Sequence, residues 1–495
     1  MLAPPRSFLR ALLPSCFLLL ASLAMPLAFA VAQTSLAPPQ PHTLSYAPGK
    51  SITLSLPGDF TMDVAASGLK RVRFLTISPD GRVFATGMYN LADNTNGSVY
   101  ILEGWDAASH RFTRVTQYLD HLRNPNNLAF YTEPAHDGKP AAMWLYVPLT
   151  DKLIRYRYHP GDEAPASQPE LLAHWPDYGL NYKYGGWHLT RTVAVAPLHG
   201  ETRVYVALGS SCNYCQEREV ARASVVSMRP DGSDQRLVAH GLRNAVDLRW
   251  IPDLDGGALF ATNMGDDHLG DQRPEDTSFE LDSNDRPGPI ATRGTPPNYG
   301  WPTCYFDHGA PVHDSTPLPA IAQTSDPASV APRPAGVANR DSVYGSQQGV
   351  AQAGVNLAAG GGHTDAVDPN AALGKPPSPL SECSHVPAAY TTFAAHSSPL
   401  GLAYFGASSP KLRGSFLVAL HGAGHPHIGT GYRVVRFTPS DRKPQDFMTG
   451  FLTGPATAKK VHGRPCGLLV LGPDMFLLTD DFLGLVYFVH PAAHV

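Results

Sequence analysis

Short runs of alternating or nearly continuous apolar residues, closed by Pro-Asp-Gly or other glycine-bearing turns, recur along most of this chain. Phe74-Leu-Thr-Ile-Ser-Pro-Asp-Gly-Arg-Val-Phe-Ala-Thr-Gly, closed by Gly97-Ser-Val-Tyr-Ile-Leu102, is the first copy. The period of two and the β-branched and aromatic content predict strands rather than helices. Further copies start near residues 128, 193, 246, 401 and 467, each with an apolar strand, a turn, a second apolar strand and an outer strand. Six such units predict an all-β chain folded as a six-bladed β-propeller, because each sheet must bury both faces against its neighbours. Residues 61–495 are assigned to it, and 31–60 to a Pro-rich lead-in and a first strand at Ser51–Leu56. A Gly/Ala/Pro/Ser-rich stretch, 309–382, separates copies four and five. It lacks periodicity and is expected to be one long irregular or disordered insert.

The chain's 43% hydrophobic residues are enough for a large core, and its 16% charged residues argue against disorder as a whole. A formal net charge of −4, without Lys/Arg clusters, excludes nucleic acid as the expected partner. Arg6 and Arg10, the apolar run Ala11–Leu23 and Ala28-Phe29-Ala30 form the three-part pattern of a secretory signal peptide over 1–30. A secreted or periplasmic protein with no membrane span after signal cleavage is therefore expected; an uncleaved anchor is the alternative. Export permits disulfides among the five cysteines beyond Cys16. Cys212 and Cys215 form a C-x-x-C that lacks the histidine of a haem site and the second pair of a zinc site, so a local disulfide is expected. Cys304 and Cys383 flank the insert and can staple its ends, leaving Cys466.

In a propeller the residues that open or end the inner strands share an axial cavity, although they lie far apart in sequence. Arg71, Arg73, Asn126, Asn127, His188, Arg243, Asn244, His396 and Arg464 fall at such positions. His188 stands where a loop enters a strand, and a neutral imidazole there can accept a proton. Recurrent guanidinium groups suit a compact ligand with several carboxylates.

Seven ordered motifs carry a family resemblance: Gly185-Gly-Trp-His-Leu-Thr-Arg-Thr, Gly209-Ser-Ser-Cys-Asn-Tyr-Cys-Gln-Glu, Gly241-Leu-Arg-Asn-Ala-Val, Asn298-Tyr-Gly-Trp-Pro-Thr-Cys, His396-Ser-Ser-Pro-Leu-Gly-Leu-Ala-Tyr, Gly431-Tyr-Arg-Val-Val-Arg and Gly463-Arg-Pro-Cys-Gly. Over roughly residues 65 to 490 the chain resembles the glucose/sorbosone dehydrogenase family, especially its L-sorbosone and pyranose dehydrogenases that use pyrroloquinoline quinone (PQQ). The resemblance implies a six-bladed propeller holding PQQ and Ca²⁺ on its axis and oxidising an aldose, a sorbosone-like sugar or a pyranose. His188 matches the catalytic base, Arg243 the arginine beside the quinone oxygen, with Asn244 next to it. Arg464 falls within one position of an arginine that binds a PQQ carboxylate. The loop Asn263-Met-Gly-Asp-Asp-His-Leu-Gly-Asp271 matches the calcium region, where Gly265 and Asp266 would offer backbone carbonyls.

Two departures stand out. Val246 replaces a glutamine of the soluble glucose dehydrogenases, and Ala423-Gly-His-Pro-His427 replaces the Ser-Trp-Asn-Arg that usually follows His421-Gly422 in the sorbosone branch. Without a haem motif, electrons would pass to an external acceptor, a cytochrome or a quinone. Two other classes fit the same architecture: a Ca²⁺-dependent sugar lactonase-type hydrolase, and a non-catalytic propeller that binds glycans or a protein. A lactonase needs acidic ligands near the axis rather than Arg243 and Arg464.

Overall fold

The computed structural model describes residues 35–493 except 136–137, 139, 176–187, 198–199, 218, 255, 282–295, 319–372, 374–376 and 456–457. The expected signal peptide and most of the expected insert lie outside the described residues. Leu36–Val495 forms one compact unit. Six four-stranded antiparallel sheets occur among the described residues, and their first strands begin at Val72, Ala129, Arg191, Ala245, Pro399 and Pro465. Each start lies within two residues of a repeat read from the sequence. First strands of neighbouring blades pack against one another, which places them around the axis. The fold is the expected six-bladed propeller.

Two blades are completed by strands distant in sequence. The fourth consists of Ala245–Ile251, Ala258–Asn263 and Asp276–Leu281, with Thr391–Phe393 as its outer strand. The irregular stretch therefore interrupts a blade instead of separating two. The sixth consists of Pro465–Gly472, Met475–Asp480 and Leu485–Pro491, and its outer strand is Phe60–Ala66 from near the N-terminus. That strand closes the ring. The expected first strand at Ser51–Leu56 lies in Lys50–Pro57, outside the six blades, paired with Pro39–Ala47. Prolines 39 and 41 are tolerated there because they stand in an edge strand. Gly309 is the left-handed turn of a hairpin between Cys304–Asp307 and Ala310–His313. Ordered structure thus runs past the boundary expected at 309; Pro311 and the flanking histidines hide the strand pattern.

A threonine at the end of the second strand joins neighbouring blades. In Phe-Ala-Thr86, Phe-Ala-Thr262 and Leu-Leu-Thr479 the hydroxyl accepts the backbone N–H of Phe74, Asp247 or Gly467 in its own first strand. The same hydroxyl donates to the carbonyl of Asn126, Leu400 or Arg73 in the next blade. Thr192, in the first strand of blade three, likewise donates to the Val246 carbonyl of blade four, and its hydroxyl accepts from Asn126 Nδ2. The first strands of blades one, four and six carry a bulge at this point, which frees the N–H that the threonine accepts. Between blades, buried aromatic and aliphatic side chains fill the wedges, as where Phe84 meets Tyr118, Phe130 and Tyr158. Each such side chain contributes about 1.5–3 kcal/mol by burial. Phe74, Val246, Leu400 and Cys466, from the first strands of four blades, form a small apolar plug on the axis.

Candidate functional site

Beside this plug lies a cavity of about 350 Å³ whose walls include Arg73, His188, Arg243, Asn244, Asp267 and His396. Gly265, Asp276, Ser398, His421 and His425 also line it. The structure therefore brings together His188, Arg243, Asn244 and Gly265 from the sequence reading. Arg73 and His396 join them.

His188 sits just ahead of the first strand of the third blade, Arg191–Ala196, with a left-handed φ of 45°. Its Nδ1 is 2.9 Å from Ser210 Oγ and 3.1 Å from the Ser210 carbonyl, and Ser210 Oγ donates to the Cys212 carbonyl at 2.5 Å. A carbonyl only accepts, so Nδ1 carries the proton and Nε2 keeps the basic lone pair. Burial, and after it the Arg243 cation, hold the His188 pKa well below the ordinary histidine value. The ring is thus neutral at working pH. Gly209 has no room for a side chain, because a Cβ there would meet His188 Cβ at 2.4 Å.

Arg243 is buried, and its guanidinium is anchored on three sides. It donates to the Asn213 carbonyl at 2.9 Å and side chain at 2.6 Å, to the Gly265 carbonyl at 2.6 Å, and to Asp267 at 3.3 Å. The disulfide Cys212–Cys215 brackets Asn213, which explains why a C-x-x-C lies beside the site. Cys304–Cys383 joins the two ends of the interrupted fourth blade, and Cys466 is the buried unpaired thiol among the described residues. Asn244 is buried, with Nδ2 on Met264 Sδ at 3.3 Å and an Oδ1 without a hydrogen-bond partner among the described residues.

The acidic loop divides its labour differently from the sequence reading. Asp266 is not on the cavity wall; its carboxylate lies 2.8 Å from His268 Nδ1, and His268 Nε2 lies 2.7 Å from Asp314. Asp267, one residue on, faces the cavity and joins Arg243 to His396 Nδ1 at 3.0 Å. Burial would raise the Asp267 pKa, but the His396 bond and the Arg243 charge hold it far below the carboxylate range. Asp276 accepts the N–H groups of Gly265 and Ser398 at 2.7 and 2.8 Å, and burial pushes it up to about 7. Sequence reading missed both carboxylates. Asp267 lay inside the quoted loop, whereas Asp276 opens a third strand that no apolar run announces.

Arg464 is not on the cavity wall. It donates to the carbonyls of Gly422 and Ala423 at 2.9 and 3.1 Å and to Tyr432 Oη at 2.8 Å, and its guanidinium lies over the Tyr432 ring. Arg73 is the cavity arginine of that side, bonded to Asp481 at 2.9 Å and Asn126 at 3.1 Å. Asn126 and Asn127 face Thr192 and Val193 of the third blade rather than the cavity.

No family model matches the chain, and no curated protein does. Solved structures do. The PQQ domain of a pyranose dehydrogenase from Coprinopsis cinerea, in its holo form, is similar over 89% of this chain and 97% of its own, at 16% identity and a TM-score of 0.55. A calcium structure of a Trichoderma reesei enzyme of Carbohydrate-Active Enzymes family AA12 is similar over 93% and 98%, at 15% identity and 0.54. An iodide structure from the same organism and enzyme family gives 14% and 0.53. At these identities the likeness is one of fold: this chain is a six-bladed propeller of the kind found in the PQQ domain of pyranose dehydrogenase.

Proposed function

We propose that this chain is an exported PQQ-dependent dehydrogenase that oxidises a sugar hydroxyl of an aldose, a sorbosone-like sugar or a pyranose, with Ca²⁺ as accompanying ion. One observation carries the reading: His188, held as the tautomer with a basic Nε2, and the Arg243 guanidinium line one cavity. The walls suit the cofactor. About 350 Å³ lies in the range of small-molecule sites, and Arg73, Arg243 and His396 supply positive charge for a rigid tricarboxylate.

PQQ, when bound, supplies a two-electron acceptor for hydride. This chain's residues handle the proton. Oxidation of an alcohol removes a hydride from carbon and a proton from oxygen, and His188 Nε2 is the group to take the proton. Ser210 keeps Nδ1 protonated, so the lone pair stays at Nε2. Arg243 lies close enough to depress the His188 pKa, and its charge favours the alkoxide character that develops at the reacting oxygen. Asp267 and Asn213 hold that guanidinium in place.

For Ca²⁺ the oxygen donors on the wall are the Gly265 carbonyl and the carboxylates of Asp267 and Asp276. Asp266, whose backbone carbonyl was the expected ligand, is not on the wall, and its carboxylate lies beside His268. Gly265 and Asp267 already accept from Arg243, so an ion would share them with the guanidinium, and no step is assigned to it.

The test is to load the purified chain with PQQ, with and without Ca²⁺, and to measure quinone binding by absorbance and dye reduction with a panel of aldoses. Reduction by the wild type and its loss in His188→Ala, with quinone binding intact, is the expected result. Failure of both binding and reduction overturns the proposal, as does sugar-lactone hydrolysis that needs only Ca²⁺. Export is tested by the N-terminal sequence of the mature protein, expected to begin near Val31. The two disulfides agree with an oxidising compartment. Among the described residues no helix is long and apolar enough to cross a membrane.

A further inference from the structure

Away from the cavity, Asp63, His110 and His490 converge where the ring closes. Asp63 lies on the closing strand Phe60–Ala66, His490 on the last strand Leu485–Pro491. Thr61 pairs with His490 and Asp63 with Phe488, so Asp63 and His490 are diagonal neighbours on one face. His110 comes from the first blade, at the tip of the hairpin between Gly97–Asp106 and Arg111–Leu122, in a left-handed conformation at φ 51°.

Asp63 Oδ2 is 2.8 Å from His110 Nδ1 and 3.1 Å from His490 Nε2, and the three ligand-type atoms lie within 4.8 Å of one another. His490 Nδ1 lies 3.1 Å from the Pro491 carbonyl. That carbonyl can only accept, so Nδ1 donates to it and leaves Nε2, the nitrogen facing Asp63, as the one a metal ion would take. Outward hydrogen bonding of this kind is what orients a metal-ligating imidazole. Around a tetrahedral ion with bonds of about 2.0–2.2 Å, ligand atoms stand about 3.4 Å apart, against 2.8 and 3.1 Å for the two carboxylate–imidazole spacings here. The rings are held by aromatic neighbours: Trp105 lies parallel to His110, and Phe488 stacks on His490 at 4.8 Å. Side-chain exposures of 16%, 33% and 40% leave the cluster open to water for entry and for a fourth ligand.

We infer that Asp63, His110 and His490 bind a divalent first-row transition ion, with Zn²⁺ as the probe, and that the ion clasps the first blade to the last. Two imidazole nitrogens and one carboxylate suit Zn²⁺ and disfavour Ca²⁺ and Mg²⁺, which prefer oxygen. The other metal-type grouping among the described residues, Cys212, Cys215 and Glu217, has both sulfurs in a disulfide.

The experiment uses the chelator-washed chain, titrated with Zn²⁺, Ca²⁺ and Mg²⁺ by calorimetry and followed by thermal unfolding. One Zn²⁺ per chain is expected, with Tm raised by roughly 3 °C at a hundredfold excess over Kd and no comparable shift from Mg²⁺. Asp63→Asn and His490→Gln should abolish both the Zn²⁺ heat and the shift. His110→Gln, in an exposed turn, keeps the test valid should a strand variant fold poorly. Absence of saturable Zn²⁺ binding in the wild type overturns the inference, as does Zn²⁺ binding unchanged in these variants. Neither readout depends on the dehydrogenase proposal.

Discussion

His396 with Asp267 and His421 with Asp481 are two histidine–aspartate pairs on or beside one cavity, yet they titrate in opposite directions. His396 has an oxygen acceptor on each nitrogen, Asp267 at Nδ1 and the Gly270 carbonyl at Nε2, so both nitrogens donate and the ring is an imidazolium. Burial alone would lower its pKa, but those two bonds outweigh it, and the value is raised. His421 donates from Nε2 to Asp481 at 2.8 Å, while its Nδ1 faces the Arg464 guanidinium at 3.4 Å. Nδ1 must accept, and burial brings that histidine down to about 4. Asp481 compensates Arg73 and Arg71 as well, with no exposed side-chain surface. Identical residue types thus place a cationic histidine on a partly open wall at Asp267 and a neutral histidine in a closed brace at Asp481. The partner on the second nitrogen decides which.

Five substitutions probe this division. The largest effect is expected at His188, beside the first pair: His188→Ala should lower kcat of the PQQ-loaded chain by about 10²–10⁴-fold with little change in Tm. Steady-state dye reduction and a melting curve on the same sample measure both. Asp481→Ala should do the reverse. It strands Arg73 and His421 without their buried carboxylate, costing about 3–5 kcal/mol, read as a lower denaturation midpoint. Arg464→Lys should cost about 1–3 kcal/mol, because an ammonium cannot serve the Gly422 and Ala423 carbonyls and Tyr432 together.

The smallest effects concern pH. A raised His396 pKa contributes stability that is complete below the ordinary value of 6.5 and is lost as pH rises through the raised one. A lowered His421 pKa acts oppositely: the unfolded chain takes up the proton first, so stability falls as pH drops from 6.5 toward 4. His396→Gln should flatten the alkaline side of a Tm–pH profile, and His421→Gln the acid side, by roughly 1–2 °C each. Equal slopes in the two variants would remove the distinction drawn between the pairs.

Much of the ring was legible because each first strand is a run of apolar residues with a turn signal behind it. The positions of His188 and Arg243 followed from the same repeat, since equivalent strand ends must meet on an axis. Arg464 obeyed the repeat too, but its side chain was claimed by loop carbonyls, a competition that residue spacing does not reveal. Asp267 and Asp266 are adjacent in sequence, and only the fold's choice of which one His268 holds separates their roles. The closing strand Phe60–Ala66 was missed because its partner lies more than four hundred residues away, where local periodicity carries no information.

That closing strand also sets an order of events during synthesis. Phe60–Ala66 emerges early but cannot find Leu485–Pro491 until translation is nearly complete, so the first blade spends that interval without its neighbour. Loop-closure entropy grows only logarithmically with length, which makes the wait affordable but leaves the unpaired edge exposed. A truncation before residue 485 should therefore yield an aggregation-prone open fan rather than a slightly smaller ring.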